Sequence, residues 1–160
     1  ADPSFAHGWE TRLAWELIRG ISINGGVTRV MNAYFRGPGP RLYVDRAPSL
    51  VANAGLTLNG LRGWFASFRM RAINSYRLDG EDATNRAAGH TVFDVALTRR
   101  IRRNVDFNFN IDNLLDRQYF ETQNYFESRL QGQDPIARIH ATPGYPRTIS
   151  AGITLRLAGK

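Results

Sequence analysis

Between Val105 and Leu114 the chain reads V-D-F-N-F-N-I-D-N-L, and this strict alternation limits its fold more than any other feature. A period of two places successive side chains on opposite faces of a strand. Val105, Phe107, Phe109 and Ile111 therefore share one face, and Asp106, Asn108, Asn110 and Asp112 the other. Thr148 to Leu157 repeats the pattern as T-I-S-A-G-I-T-L-R-L. In a soluble sandwich the apolar face would be a core. Here the second face carries successive carboxylates and amides, which suits a water-filled lumen better than another packed sheet. Lipid-facing apolar residues alternating with lumen-facing polar ones, in segments of about ten, are the pattern of an outer-membrane barrel.

Seven such segments can be traced along the chain. Gly8 to Leu17 sets Thr11, Leu13, Trp15 and Leu17 against Glu10, Arg12 and Glu16. Arg19-Gly20 turns into Ile21 to Phe35, where Ile21, Ile23, Val27 and Met31 share a face. Ser49 to Leu58 groups Ala52, Ala54, Leu56 and Leu58 opposite Asn53 and Thr57, and Asn59-Gly60 then gives a hairpin signal. Arg62 to Arg77 puts Trp64, Ala66, Phe68, Met70 and Ala72 opposite Ser67, Arg69, Arg71 and Ser75. His90 to Arg100 carries Phe93, Val95 and Leu97 opposite Asp94 and Thr98, and a basic turn, Arg102 to Asn104, leads to the strand at Val105. Arg36 to Arg46, Leu78 to Gly89 and Leu115 to Tyr145 read as long loops.

The expected fold is all-β: an antiparallel up-and-down meander of about seven long strands, an open section of a transmembrane β-barrel. Connections alternate short and long, as periplasmic turns and extracellular loops do. The last strand then descends to the periplasm and the first begins outside. Barrels of this kind have even strand numbers, so an upstream strand is expected and residues 1–160 read as a fragment. Residues 1–9 contain no basic region followed by an apolar run, which suits a mature chain or an internal piece.

Other classes find little support. No stretch approaches the roughly 18 consecutive apolar residues of a membrane helix. Cysteine is absent, so disulfides and thiolate metal sites are excluded. The net charge of +7 is almost entirely arginine, spread along the chain without a nucleic-acid-binding motif, so no nucleic-acid partner is expected. His7, His90 and His140 are far apart, and no nucleophile elbow, phosphate loop or metal-ligand spacing accompanies them. An enzyme is not expected, nor is a resident metal or cofactor. The acidic run Asp79, Glu81, Asp82 does not match a calcium loop and reads as solvated.

Asn108 to Tyr119, N-F-N-I-D-N-L-L-D-R-Q-Y, and Pro143 to Thr148, P-G-Y-P-R-T, resemble the C-terminal motifs of TonB-dependent outer-membrane receptors. The resemblance extends through Val44 to Leu50, Gly63-Trp64 and Asn85 to Asp94 and so covers nearly the whole chain. It implies the closing strands of a larger plugged barrel in the bacterial outer membrane. It also implies uptake of a scarce ligand, a ferric siderophore foremost, driven by TonB through a plug that lies outside this sequence. The partners it implies are outer-membrane lipid, the upstream strands and plug, and the outer-membrane assembly machinery. A stand-alone small barrel or passive pore is the alternative reading, and a soluble β-sandwich binding module the third.

Residue by residue, Trp9, Trp15, Trp64, Tyr119 and Phe120 are expected in the interfacial aromatic girdles. Tyr125 and Phe126 in the longest loop are candidates for ligand contact. Glu10, Glu16, Arg69, Arg71, Asp94, Asp106, Asp112 and Arg156 are expected to face the lumen as a charge network against the plug. Arg99 should end a lipid-facing row and snorkel. Ser150, Gly152, Leu155 and Leu157 resemble the family's terminal assembly signal, although the family ends on an aromatic residue and this chain continues Ala158-Gly159-Lys160.

Overall fold

The computed structural model describes residues 3–157, among which there are strands, turns and loops but no helix. Residues 158–160, which follow the expected terminal signal, lie outside the described residues, as do residues 1 and 2. In chain order the strands are β1 (Ser4–Ile18), β2 (Ile21–Phe35), β3 (Leu42–Tyr43), β4 (Leu50–Leu61), β5 (Trp64–Ile73) and β6 (Tyr76–Arg77). They continue as β7 (Arg86–Ala87), β8 (His90–Arg102), β9 (Val105–Asp112), β10 (Phe120–Ser128), β11 (Ile136–Pro143) and β12 (Thr148–Leu155).

The large sheet runs β1-β2-β4-β5-β8-β9-β12, with every pair antiparallel. This is the expected open meander with alternately short and long connections. Among the described residues β1 pairs only with β2, and β12 only with β9, so the sheet does not close on itself and the self-contained small barrel is not formed.

Register follows the alternation. Ile149, Ala151, Ile153 and Leu155 face Ile111, Phe109, Phe107 and Val105, while Ser150, Gly152 and Thr154 face Asn110, Asn108 and Asp106. The same row continues through Val95 and Leu97 of β8 to Phe68 and Ala66 of β5 and Leu56 and Leu58 of β4. A slip of one residue would exchange the two faces throughout. The apolar row stays uncovered: Trp15 is 61% exposed, Leu13 54% and Ile153 68%. Among the described residues only Leu78, Ala87 and Val92 are buried apolar side chains. A sandwich would bury precisely that row, at about 1.5–3 kcal/mol per large side chain, so the soluble reading lacks its core. Ten residues of β5, at ~3.3 Å per residue and ~40° tilt, span about 25 Å, the height of an outer-membrane apolar band.

Several local expectations are corrected. The hairpin between β4 and β5 does not turn at Asn59-Gly60. Leu61 pairs with Trp64, and Arg62 and Gly63 take φ of 50° and 80°, a two-residue turn with both residues left-handed. Gly60, at φ 70°, sits instead in a bulge between Leu58 and Leu61. A second bulge leaves Met31 without a cross-strand partner, because Gly8 pairs with Val30 and His7 with Asn32. Past the bulge Tyr34 comes to face Phe5. Arg36 to Arg46 contains β3, which pairs Tyr43 with Tyr34. Leu115 to Tyr145 is mostly the β10–β11 hairpin, from Phe120↔Pro143 to Ser128↔Ile136. Its alternation is blurred because both faces carry polar and aromatic residues.

Two unpaired edges should make this chain, expressed by itself, associate through β1 or β12. Sedimentation in mild detergent is expected to show dimers or larger species, and a stable monomer at all concentrations would contradict the open-edged fold.

Candidate functional site

One face of β5, β8, β9 and β12, termed the inward face, brings together most of the charges expected to line a lumen. Arg69 pairs with Asp94 across β5–β8, and its guanidinium lies 2.9 Å from the Asp94 carboxylate. Arg71, two residues along the same row, reaches the same oxygen at 3.3 Å. Lower on the wall, Asp106 holds Arg156 from β12's end and Arg100 from β8, the latter at 3.5 Å. Arg100 was not foreseen, because its place in an arginine run masks its inward parity; its register opposite Asp106 reveals it. Each group thus has two guanidiniums on one nearly buried carboxylate and retains one excess positive charge. All four arginine side chains are 41–60% exposed, so solvent screens their side of each pair. Their cations remain available to a partner.

The other expected inward residues separate from this network. Glu10 bonds Arg12 at 2.7 Å, and Glu16 accepts the Gly20 N–H at 3.0 Å, closing the β1–β2 turn. Asp112 faces Thr148 and lines the hollow beneath Arg69 and Arg71 without an ion pair of its own among the described residues.

The two sequence motifs meet at the top of this wall. Asn113, 2% exposed and at φ 52°, donates its side-chain amide to the carbonyls of Arg117 (2.9 Å) and Tyr145 (3.0 Å). Its side-chain oxygen accepts the Arg117 N–H at 2.8 Å, and its backbone N–H donates to Asp94 at 3.1 Å. Asp116 accepts the Arg147 N–H at 3.0 Å. Gly144 donates its N–H to the Tyr119 carbonyl at 2.8 Å, and a Cβ there would lie 2.2 Å from the Tyr119 ring. The N-L-L-D-R-Q-Y and P-G-Y-P-R segments are therefore a clamp that joins both ends of the longest loop to the charge network.

Tyr119 leaves the outward girdle expected for it. Its ring centroid lies 4.6 Å from that of His90, which belongs to the inward row, and it lines the hollow with Arg71 and Glu121. Burial, followed by the charge of Glu121, pushes its phenol above the ordinary value. Trp9, Trp15 and Trp64 stand exposed on the outward row. Arg99 also belongs to that row, stacked 4.8 Å over Trp64 and donating to the Arg62 carbonyl. Phe120 opens β10 at the loop end.

Tyr125 and Phe126 are adjacent on β10 and so face opposite sides of the hairpin. Phe126 stacks on His140 at 4.0 Å. Gln123, missed by the sequence reading, bonds both the N–H and the carbonyl of Ala88, at 3.1 and 3.0 Å, fastening the hairpin to the neighbouring loop. In that loop Asp82 accepts the Thr84 hydroxyl (2.6 Å) and N–H (2.8 Å), which hold its carboxyl below the usual range.

No family model matches this sequence, and no curated protein does. Solved structures do match. The ferric-catecholate import receptor Fiu from E. coli K12 superposes with a TM-score of 0.73 at 20% identity, over 95% of this chain and 21% of that one. The ferric yersiniabactin uptake receptor FyuA from Yersinia pestis gives 0.72 at 18%, over 95% and 23%. The siderophore receptor PiuA from Acinetobacter baumannii gives 0.69 at 18%, over 95% and 22%. The fold is that of a section of a TonB-dependent receptor barrel. The chain spans about a fifth of the length of these receptors.

In a barrel containing this section, Asn113→Ala should cost about 2–4 kcal/mol, through three lost side-chain hydrogen bonds and a left-handed residue made less tolerant. Gly144→Ala should cost about 1–3 kcal/mol, and Tyr119→Ala in the same chain should recover part of it. Thermal unfolding in detergent reads both. A loss no greater than that of exposed Gln131→Ala would remove the clamp from the account.

Proposed function

We propose that residues 1–160 form the closing strands of a TonB-dependent outer-membrane importer, lining its lumen and carrying part of its extracellular mouth. The observation that carries this reading is the open seven-stranded path, matched over 95% of the chain by the Fiu barrel. The clamp supports it, since the residues quoted for the family resemblance are the ones that meet there. The cargo is a scarce metal chelate, a ferric siderophore first among them. Fiu is named for ferric-catecholate import, FyuA for ferric yersiniabactin uptake and PiuA as a siderophore receptor.

The two positive groups, Arg69–Arg71 on Asp94 and Arg100–Arg156 on Asp106, face the plug and meet its carboxylates. Half-exposed guanidiniums in a lumen are well suited to paired carboxylate recognition. At the mouth, the β10–β11 hairpin presents Phe126 and His140 as a stacked apolar face for the chelate. Ser150, Gly152, Leu155 and Leu157 serve as the terminal assembly signal. Leu157 lies beyond β12 and is 89% exposed.

Uptake of radio-iron chelates by cells expressing the whole receptor tests the reading. Accumulation is expected to disappear when TonB is deleted; equal entry without TonB would leave a passive pore. The double variant Arg69→Glu/Arg71→Glu should release the plug to limited proteolysis while the barrel remains resistant to unfolding by detergent without heat. Replacing residues 120–143 by a short turn should abolish chelate binding at the cell surface with the barrel still assembled. Undiminished binding would take the hairpin out of the site.

A further inference from the structure

The outward face near the start of β1 carries a feature that importer chemistry does not use. Phe5, Tyr34 and Tyr43 form one row across β1, β2 and β3, with ring centroids 5.4 and 6.5 Å apart. A guanidinium lies over each ring: Arg36 over Phe5 at 4.7 Å, Arg41 over Tyr34 at 4.8 Å and Arg77 over Tyr43 at 4.4 Å. The row is outward because Phe5 shares its parity on β1 with Trp9, Leu13 and Trp15, and the bulge at Met31 brings Tyr34 into line. Ten residues separate Phe5 from Trp15, which at ~3.3 Å each and ~40° tilt is about 25 Å of height. With Trp15 beside the short-turn end, the row lies at the long-loop interface, the extracellular one.

Charge makes this more than an aromatic girdle. None of the three arginines has a carboxylate within ion-pairing distance among the described residues. Asp82 is the acid influenced by Arg77, and it is occupied by Thr84 and Asn85. A fourth arginine, Arg29, stands in the outward row itself between Trp9 and Leu50. An arginine on a lipid face is unfavourable at depth and tolerated near an interface, where its stem follows apolar surface and its head finds polar or anionic groups. Aromatic faces hold guanidiniums in place, reducing the ordering needed when an anion binds.

We propose that this face, centred on Arg36, Arg41 and Arg77 with Arg29 below them, binds the phosphate-bearing headgroup of an outer-leaflet glycolipid. The proposal rests on the barrel reading and adds a specific lipid contact to it. Planar guanidiniums pair with phosphate oxygens in a bidentate manner, and three side by side suit a headgroup carrying more than one phosphate. The acyl chains would then lie against the apolar row below.

The whole receptor, purified from outer membranes in mild detergent, is incubated with lipid A, with dephosphorylated lipid A and with inorganic phosphate as competitor. Native mass spectrometry reads the bound lipid. Lipid A is expected to bind about a hundredfold more tightly than its dephosphorylated form, and Arg36→Ala/Arg41→Ala/Arg77→Ala to lose about the same factor. Equal binding of the two lipids would overturn the proposal, as would full displacement by inorganic phosphate, which would mark a free-anion site. The two-lipid comparison needs no variant and decides the matter even if the triple variant fails to assemble. A receptor that binds neither lipid yet migrates as a heat-modifiable barrel overturns the lipid site alone. Absence of heat-modifiable migration would instead remove the barrel reading beneath it.

Discussion

A strand in hydrocarbon has no water to satisfy its peptide groups, so each N–H and carbonyl must find a partner on a neighbouring strand. The antiparallel ladder from β1 to β12 meets that demand at every interior strand, and the rest of the structure depends on it. Because the ladder fixes register, it also fixes which side chains share the apolar face of the sheet and which share the polar one. The row Ile149, Ala151, Ile153, Leu155 meets Ile111, Phe109, Phe107, Val105, whereas Ser150 and Thr154 meet Asn110 and Asp106. Shifting the register by one residue would turn Asp106 and Asp112 outward. The outermost edges of β1 and β12 are left open.

Within that frame the inward charges act as a surface more than as a source of stability. Two arginines share each carboxylate, and their exposure keeps the energy of each pair small. Stability at this end of the wall comes more from Asn113, a buried amide whose hydrogen bonds join Asp94, Arg117 and Tyr145. Leaving such a group unsatisfied is costly. The clamp consequently links the base of the β10–β11 hairpin to the charged wall. A rigid base under an extended loop is a physical means of holding a mouth element in position.

The outward face shows the same economy at its long-loop end. A single extra residue in β2, Met31, changes parity and aligns Tyr34 with Phe5, and the short β3 then extends the row to Tyr43. Arg36 and Arg41 come from the loop between β2 and β3 and Arg77 from β6, yet each arrives over a ring of this row.

The seven strands of the main path and their order were legible in the sequence because period-two alternation is a local property that register preserves, whereas β3, β10 and β11 lay in stretches read as loop. That Arg69, Arg71, Asp94, Asp106 and Arg156 share one face of the sheet followed from parity alone. What parity could not show was which charges share a partner: Arg100 joined Asp106 through cross-strand register, while Glu16 turned to the Gly20 N–H. The turn at Arg62-Gly63 displaced the stronger dipeptide signal of Asn59-Gly60, because pairing of Leu61 with Trp64 leaves two residues between the strands. Tyr119 moved inward because Gly144 leaves room for its ring beside His90. The sequence by itself determined an alternating, open, all-β wall with one polar face. Only the tertiary structure decided the bulge, the clamp and the rim of ring-stacked arginines, since each depends on residues far apart in the chain being brought to one height by the ladder.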